Sequence, residues 1–132
     1  MLAKRAVLET LAPGERRALV PGWLWLTFAP NARGAMDLFG APPPVMIVLA
    51  LATIGAMSWF LRDLVRRSAT AQVGFGLVLG GAIGNLVDRT VHGYVVDFVS
   101  LRGFYVFNVA DAGITVGLVL LAVAALRARA VA

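Results

Sequence analysis

Three stretches of this chain are long, apolar and nearly free of charge. They cover residues 44–61 (PVMIVLALATIGAMSWFL), 68–88 (SATAQVGFGLVLGGAIGNLVD) and 104–126 (FYVFNVADAGITVGLVLLAVAAL). Arg62 and Asp63 close the first, Asp88 and Arg89 the second, Arg127 and Arg129 the third. A helix that crosses the hydrocarbon layer needs about 20 mainly apolar residues. With three such helices in 132 residues, little chain is left to cover them with protein. The expected fold is therefore an all-α polytopic membrane protein, a single membrane-embedded domain with a small β-rich portion outside the bilayer. Composition agrees: 60% of residues are apolar and 14% charged, where a soluble domain carries roughly 25% charged residues. The mean hydropathy is +0.84.

The scarcity of reactive side chains narrows the chemistry. There is no cysteine, which excludes disulfides, thiolate metal sites and a cysteine nucleophile. His92 is the only histidine, so a His-rich metal site is impossible and a Ser-His-Asp triad is not expected. No metal or cofactor is expected. The formal charge of +5 comes from basic residues at segment ends, a pattern that suits a membrane boundary and gives no reason to expect nucleic acid as a partner.

Residues 1–43 read as an extramembrane start. They hold a short basic amphipathic stretch (Lys4, Arg5, Leu8, Leu11), a Pro-Gly-Glu turn at 13–15 and a β-like run over 18–28 with Trp23 and Trp25. The link at 89–103 contains a strand-like run over 94–99, and His92 reads as a loop residue. Gly76, Gly80 and Gly84 fall at four-residue spacing on the second helix, where a smooth stripe allows another backbone to approach. Arg62, Arg66, Arg67, Arg127 and Arg129 share one side of the membrane, which the positive-inside tendency makes cytoplasmic. Lys4, Arg5, Arg16, Arg17, Arg33, Arg89 and Arg102 lie on the other, so counting alone does not decide the orientation.

Ionisable groups in spanning segments are costly and are functional candidates by default. Asp111 is one, expected about 9 Å into a helix that starts near Tyr105. Asn108 lies three residues before it, and Asn85, Asp88 and Arg89 fall at i, i+3 and i+4 at the matching end of the second helix. Asp97 sits in the link that joins those two ends. Topology can bring all six to one site at the membrane edge. Two carboxylates that share a site ionise one at a time, so one can act as acid while the other acts as base. That is the chemistry of an aspartic peptidase, with Asp97 and Asp111 as the expected pair and Asp88 expected to form an ion pair with Arg89. The alternative is a non-catalytic membrane protein of the same fold that serves as a binding or assembly subunit. A proton-coupled transporter fragment is disfavoured by three helices without a repeat.

The run from Gly80 to Arg89 (GGAIGNLVDR) resembles the G-G-A-x-G-N-x-x-D-R motif of lipoprotein signal peptidases, the signal peptidase II family. Val95–Phe98 (VVDF) is similar to that family's V-x-D-F motif, and Phe107–Ile114 (FNVADAGI) to its F-N-x-A-D-x-x-I motif. The resemblance implies an intramembrane aspartic endopeptidase with Asp97 and Asp111 as its dyad and Asn85, Asp88, Arg89 and Asn108 in support. It implies diacylglyceryl-modified bacterial prolipoproteins as substrates, cleaved in contact with membrane lipid at the outer face of the inner membrane, and inhibition by globomycin-type compounds. Asn31–Met36 (NARGAM) is similar to the family's N-x-G-A-A-F segment near the substrate, with Arg33 in place of Gly and Met36 in place of Phe, which makes Asn31 a further supporting residue. The family has four spanning helices, the first ending in Asp-Gln-x-x-Lys. Met-Leu-Ala-Lys at 1–4 looks like the end of that motif, with Lys4 as its lysine, so this chain is expected to lack the first helix.

Overall fold

A computed structural model of the chain describes residues 2–32 and 41–131. Arg33 and Met36 of the family-like segment, and Asp37, fall outside the described residues. The elements in chain order are α1 (Leu2–Thr10), β1 (Arg16–Val20), β2 (Leu24–Asn31), α2 (Pro43–Phe60), α3 (Arg62–Arg67), α4 (Ala69–His92), β3 (Val95–Leu101) and α5 (Val109–Val131).

Three of these helices, α2, α4 and α5, are long and apolar enough to cross a membrane, with mean hydropathies of 1.7, 1.4 and 2.2. Local sequence sets their ends. Pro43 and Pro44 begin α2, where the missing N–H groups cost nothing because no intrahelical acceptor exists there. Ser68 caps α4, its Oγ accepting the Ala71 N–H at 3.2 Å. Gly93 ends α4 at φ 78°, the left-handed position that glycine adopts without strain. None of the α2 residues is buried, and Val48, Leu51, Trp59 and Phe60 stand outward. On a soluble protein that surface would be an association hazard; on a spanning helix it faces lipid tails.

Helices α4 and α5 pack backbone to backbone. A Cβ added at Gly74 would lie 2.8 Å from the Gly117 carbonyl oxygen, and one added at Gly81 would lie 2.5 Å from the Ala110 carbonyl oxygen. Ala71, Val78, Leu121 and Ala124 fill the remainder of the seam. This corrects the expected stripe: Gly76 and Gly80 meet nothing within 4 Å, and Gly84 touches only the Ala110 Cβ at 3.8 Å. The row that closes on α5 is 74, 78, 81 and 85, one helix face around from 76, 80 and 84.

Outside the spans, β1, β2 and β3 form an antiparallel sheet in that order. The β-like run over 18–28 is two strands with a turn between them, reversed at Gly22 (φ 79°). Val7 of α1 and Leu11 just after it pack on Phe28, Val96 and Phe98 of the sheet. Even-numbered residues of β3 thus meet α1, and period-two alternation leaves Asp97 on the face turned toward the ends of α4 and α5. A bulge between Leu26 and Ala29 sets β2 against β3 so that Ala29 pairs with Asp97 and Asn31 with Val95. Asn31 is then the diagonal neighbour of Asp97 on the same face.

The third span starts later than its hydropathy suggests. Phe107 exchanges backbone hydrogen bonds with Val99 at 3.0 and 2.7 Å, so the chain before Asn108 runs beside β3 in extended form. Helix α5 begins at Val109, and Asp111 stands in its first turn, not 9 Å inside the helix.

Candidate active site

Asp111 owes its position to a helix-start motif. The Asn108 Oδ1 accepts the backbone N–H groups of Ala110 at 2.7 Å and Asp111 at 3.2 Å, and the Asp111 Oδ2 accepts the Asn108 backbone N–H at 3.0 Å. This is a reciprocal capping box, with Asn as the cap and Asp at the third helical position. The Asp111 Oδ1 accepts the Asn85 Nδ2 at 2.7 Å.

Asp97 reaches the same place from the sheet. Its Oδ1 accepts the Asn108 Nδ2 at 2.7 Å and its Oδ2 accepts the Asn31 Nδ2 at 2.9 Å. Asn108, fully buried, therefore bridges the two acids, holding Asp97 with its side-chain amide and Asp111 with its backbone N–H. Burial pushes the Asp97 carboxyl up to about 6; the nearby Asp111 charge adds to that, while the amides of Asn31 and Asn108 oppose it.

Asp97, Asp111, Asn31, Asn85 and Arg89 line one cavity of about 310 Å³, together with Met46 and Tyr105, which the sequence motifs had not marked. Two polar atoms there are buried with no hydrogen-bond partner among the described residues: Asn31 Oδ1, an acceptor, and Arg89 Nε, a donor. Met46, Arg89 and Ile114 also line a second, mostly apolar groove of about 370 Å³ between α2, α4 and α5. At 1.5 Å rise per residue, Asn85 and Arg89 stand about 24 and 30 Å along α4, close to the full thickness of a hydrocarbon core. The cavity thus lies at one end of the apolar length of α4, and the groove adjoins it along α2, α4 and α5.

Asp88 is not paired with Arg89. Neighbouring residues point about 100° apart around a helix and do not face each other. Asp88 Oδ2 instead accepts the Lys4 Nζ at 2.7 Å and the Val96 N–H at 2.9 Å, while among the described residues the Arg89 side chain makes only a 3.4 Å contact with the Asn85 carbonyl oxygen. Lys4 also donates to the Asn85 Oδ1 at 2.8 Å. Lys4 joins the site although its motif marks only the end of a helix; the signal for its burial is that Lys4, Val7 and Leu8 share one face of α1, continued by Leu11 just after it, so the lysine occupies a position that the helix pattern marks as buried. His92 is the last residue of α4, its ring 5.7 Å from that of Tyr94, and takes no part in the cavity. Among the described residues no group of three or more His, Asp or Glu is placed to hold a metal ion.

The family model for signal peptidase (SPase) II matches residues 1–127. The chain belongs to the signal peptidase II family. A lipoprotein signal peptidase of Chlorobaculum parvum is 41% identical over 115 residues, covering 78% of this chain and 72% of that protein. One from Trichormus variabilis is 37% identical over 132 residues, covering 96% and 81%. A bacterial membrane enzyme solved by the in meso method superposes with a TM-score of 0.88 at 26% identity, covering 96% of this chain and 79% of that one. Membership makes this a multi-pass membrane protein of the protease class that processes lipoproteins.

Proposed function

We propose that this signal peptidase II family member is an intramembrane aspartic endopeptidase with Asp97 and Asp111 as its dyad. Its substrate class is the diacylglyceryl-modified prolipoprotein, cut at the outer face of the bacterial inner membrane. The observation that carries this reading is a pair of carboxylates from separate elements, facing one cavity at the membrane edge and joined through a single asparagine.

The roles follow from the surroundings of each acid. Among the described residues the hydrogen bonds to the Asp111 carboxylate come from N–H donors, and it lies in the first turn of α5, where the helix dipole favours negative charge. Asp111 takes a proton from a water held between the acids, and that water attacks the scissile carbonyl carbon. Asp97, whose carboxyl holds its proton up to about pH 6, gives that proton to the carbonyl oxygen. The tetrahedral diol then collapses. Asp97 takes back a hydroxyl proton as the carbonyl re-forms, and Asp111 passes its proton to the leaving amine. Asn85, Asn108 and Asn31 hold the carboxylates in position.

The unpartnered Asn31 acceptor and Arg89 donor supply what an extended peptide needs on either side of the scissile bond, an N–H acceptor and a C=O donor. The apolar groove suits the membrane-borne part of the substrate, signal peptide and acyl chains together.

The test is turnover of a diacylated precursor by the purified protein in lipid nanodiscs. Asp97→Asn and Asp111→Asn each reduce kcat at least about 10³-fold while the protein still inserts, since removing one member of an acid–base pair leaves only binding and polarisation. Wild-type protein without turnover, or either variant near the wild-type rate, overturns the reading.

A further inference from the structure

The end of the bundle away from the dyad carries Arg62, Arg66 and Arg67 on α3 and Arg127 and Arg129 at the end of α5. Among the described residues one carboxylate accompanies them, Asp63, at 3.9 Å from the Arg62 Nε. Arg66, Arg67, Arg127 and Arg129 form no ion pair among the described residues. The dyad end differs. There Lys4 is paired with Asp88 at 2.7 Å, Arg5 with Glu9 at 2.8 Å and Arg17 with Glu15 at 2.9 Å, and Arg16 lies over the Trp25 ring. Those four cations at the dyad end are engaged within the fold, whereas Arg66, Arg67, Arg127 and Arg129 at the far end are not paired with any carboxylate among the described residues.

A groove of about 600 Å³ lies among these unpaired cations, between α3, the start of α4 and the end of α5. Arg67, Arg127, Ser68 and Thr70 are its polar lining, Leu64, Ala124 and Ala128 its apolar lining, and Asp63 contributes a single negative charge. Trp59 marks the interfacial level: its ring is exposed and carries the Arg62 guanidinium 4.4 Å above it. A ligand for this groove has an anionic head for two guanidiniums, an apolar body for the wall, and access from the bilayer. Asp63 weighs against a doubly charged head and favours a singly charged one.

We propose that this groove binds the headgroup of one anionic phospholipid, its phosphodiester between Arg67 and Arg127 and its acyl chains along α5. Guanidinium pairs bind phosphate oxygens in fixed geometry, and basic pockets between spanning helices are suited to such heads. The site is independent of the dyad.

The experiment is native mass spectrometry of the full chain released from nanodiscs of matched acyl composition, containing either phosphatidylglycerol or phosphatidylcholine. The wild type retains phosphatidylglycerol in preference. Arg67→Gln with Arg127→Gln weakens that retention roughly 25-fold, at about fivefold per cation near the membrane surface. Arg67→Lys with Arg127→Lys keeps most of it. Arg5→Gln with Arg17→Gln, which removes two charges at the other end, changes nothing. Equal retention of the two lipids overturns the proposal, as does equal loss in the Arg5/Arg17 pair. Displacement of the lipid by millimolar inorganic phosphate also overturns it, by showing a site for free anions.

Discussion

Replacing Lys4 with methionine removes the cation from the centre of the polar network and keeps most of the side-chain volume. Asp88 is only 6% exposed, and it would be left with one neutral donor, the Val96 N–H at 2.9 Å. Removing one partner of a buried pair costs about 3–5 kcal/mol, because the remaining charge is neither hydrated nor balanced. The fold then loses a tie between three elements, since Lys4 is on α1, Asp88 on α4 and Val96 on β3. Function suffers separately. The Lys4 ammonium accounts for the shorter of two bonds that turn the Asn85 oxygen away from Asp111 and its amide toward it. Without it the amide flips in a share of molecules, and misplacing a carboxylate by an ångström costs about 10²-fold in kcat/KM. Equilibrium unfolding in detergent gives the first quantity and precursor cleavage the second. The double variant Lys4→Met/Asp88→Asn, in which the orphaned charge is gone and Val96 keeps an acceptor, recovers about 2 kcal/mol over Lys4→Met yet stays slow. A Lys4→Met protein within about 1 kcal/mol of wild type, or a double variant less stable than the single one, would refute the buried pair as an energetic element.

Three further outcomes are expected. Gly81→Val drives side-chain atoms into the Ala110 carbonyl oxygen and destabilises the α4–α5 seam by at least about 1–3 kcal/mol, whereas Gly80→Ala, facing open space, is near neutral; thermal unfolding of the two compares them directly. Folding stability falls as pH rises from about 4 to about 6, because over that window the native Asp97 keeps a proton that the unfolded chain has released; the full change is about 3 kcal/mol, and a flat profile contradicts it. For the same reason kcat/KM declines above about pH 6, and Asn108→Ala moves that limb upward by removing a hydrogen bond that favours the ionised acid; an unmoved limb argues against Asp97 as the proton donor.

The spanning segments were readable because membrane thickness leaves a hydropathy signal about 20 residues long. The polar residues that the structure gathers around one cavity drew notice because polar groups at the ends of such segments are costly without a use. Other features depend on which way a side chain turns. Asp88 and Arg89 are adjacent in sequence and look paired, but helix geometry separates them. Lys4 looked like an interfacial cation, and only its place in the row with Val7 and Leu11 announces burial. The glycines at 76, 80 and 84 and the row through 74 and 81 both keep near-helical spacing, and which row is closed follows from where Gly117 and Ala110 stand on α5. The apolar run before Asn108 carries no mark of extended backbone, since its pairing with Val99 is a tertiary event.

The hydrogen bonds between Asn108 and Asp111 have a consequence for how this protein can lose activity. The contacts that start α5 are also the contacts that aim Asp111 into the cavity beside Asp97, so with the proposed dyad one frayed turn disarms the chain while leaving the rest of the bundle standing. Heat, a poorly matched bilayer or a mutation nearby would therefore silence the cavity well before the protein as a whole came apart, and inactivation should run ahead of unfolding.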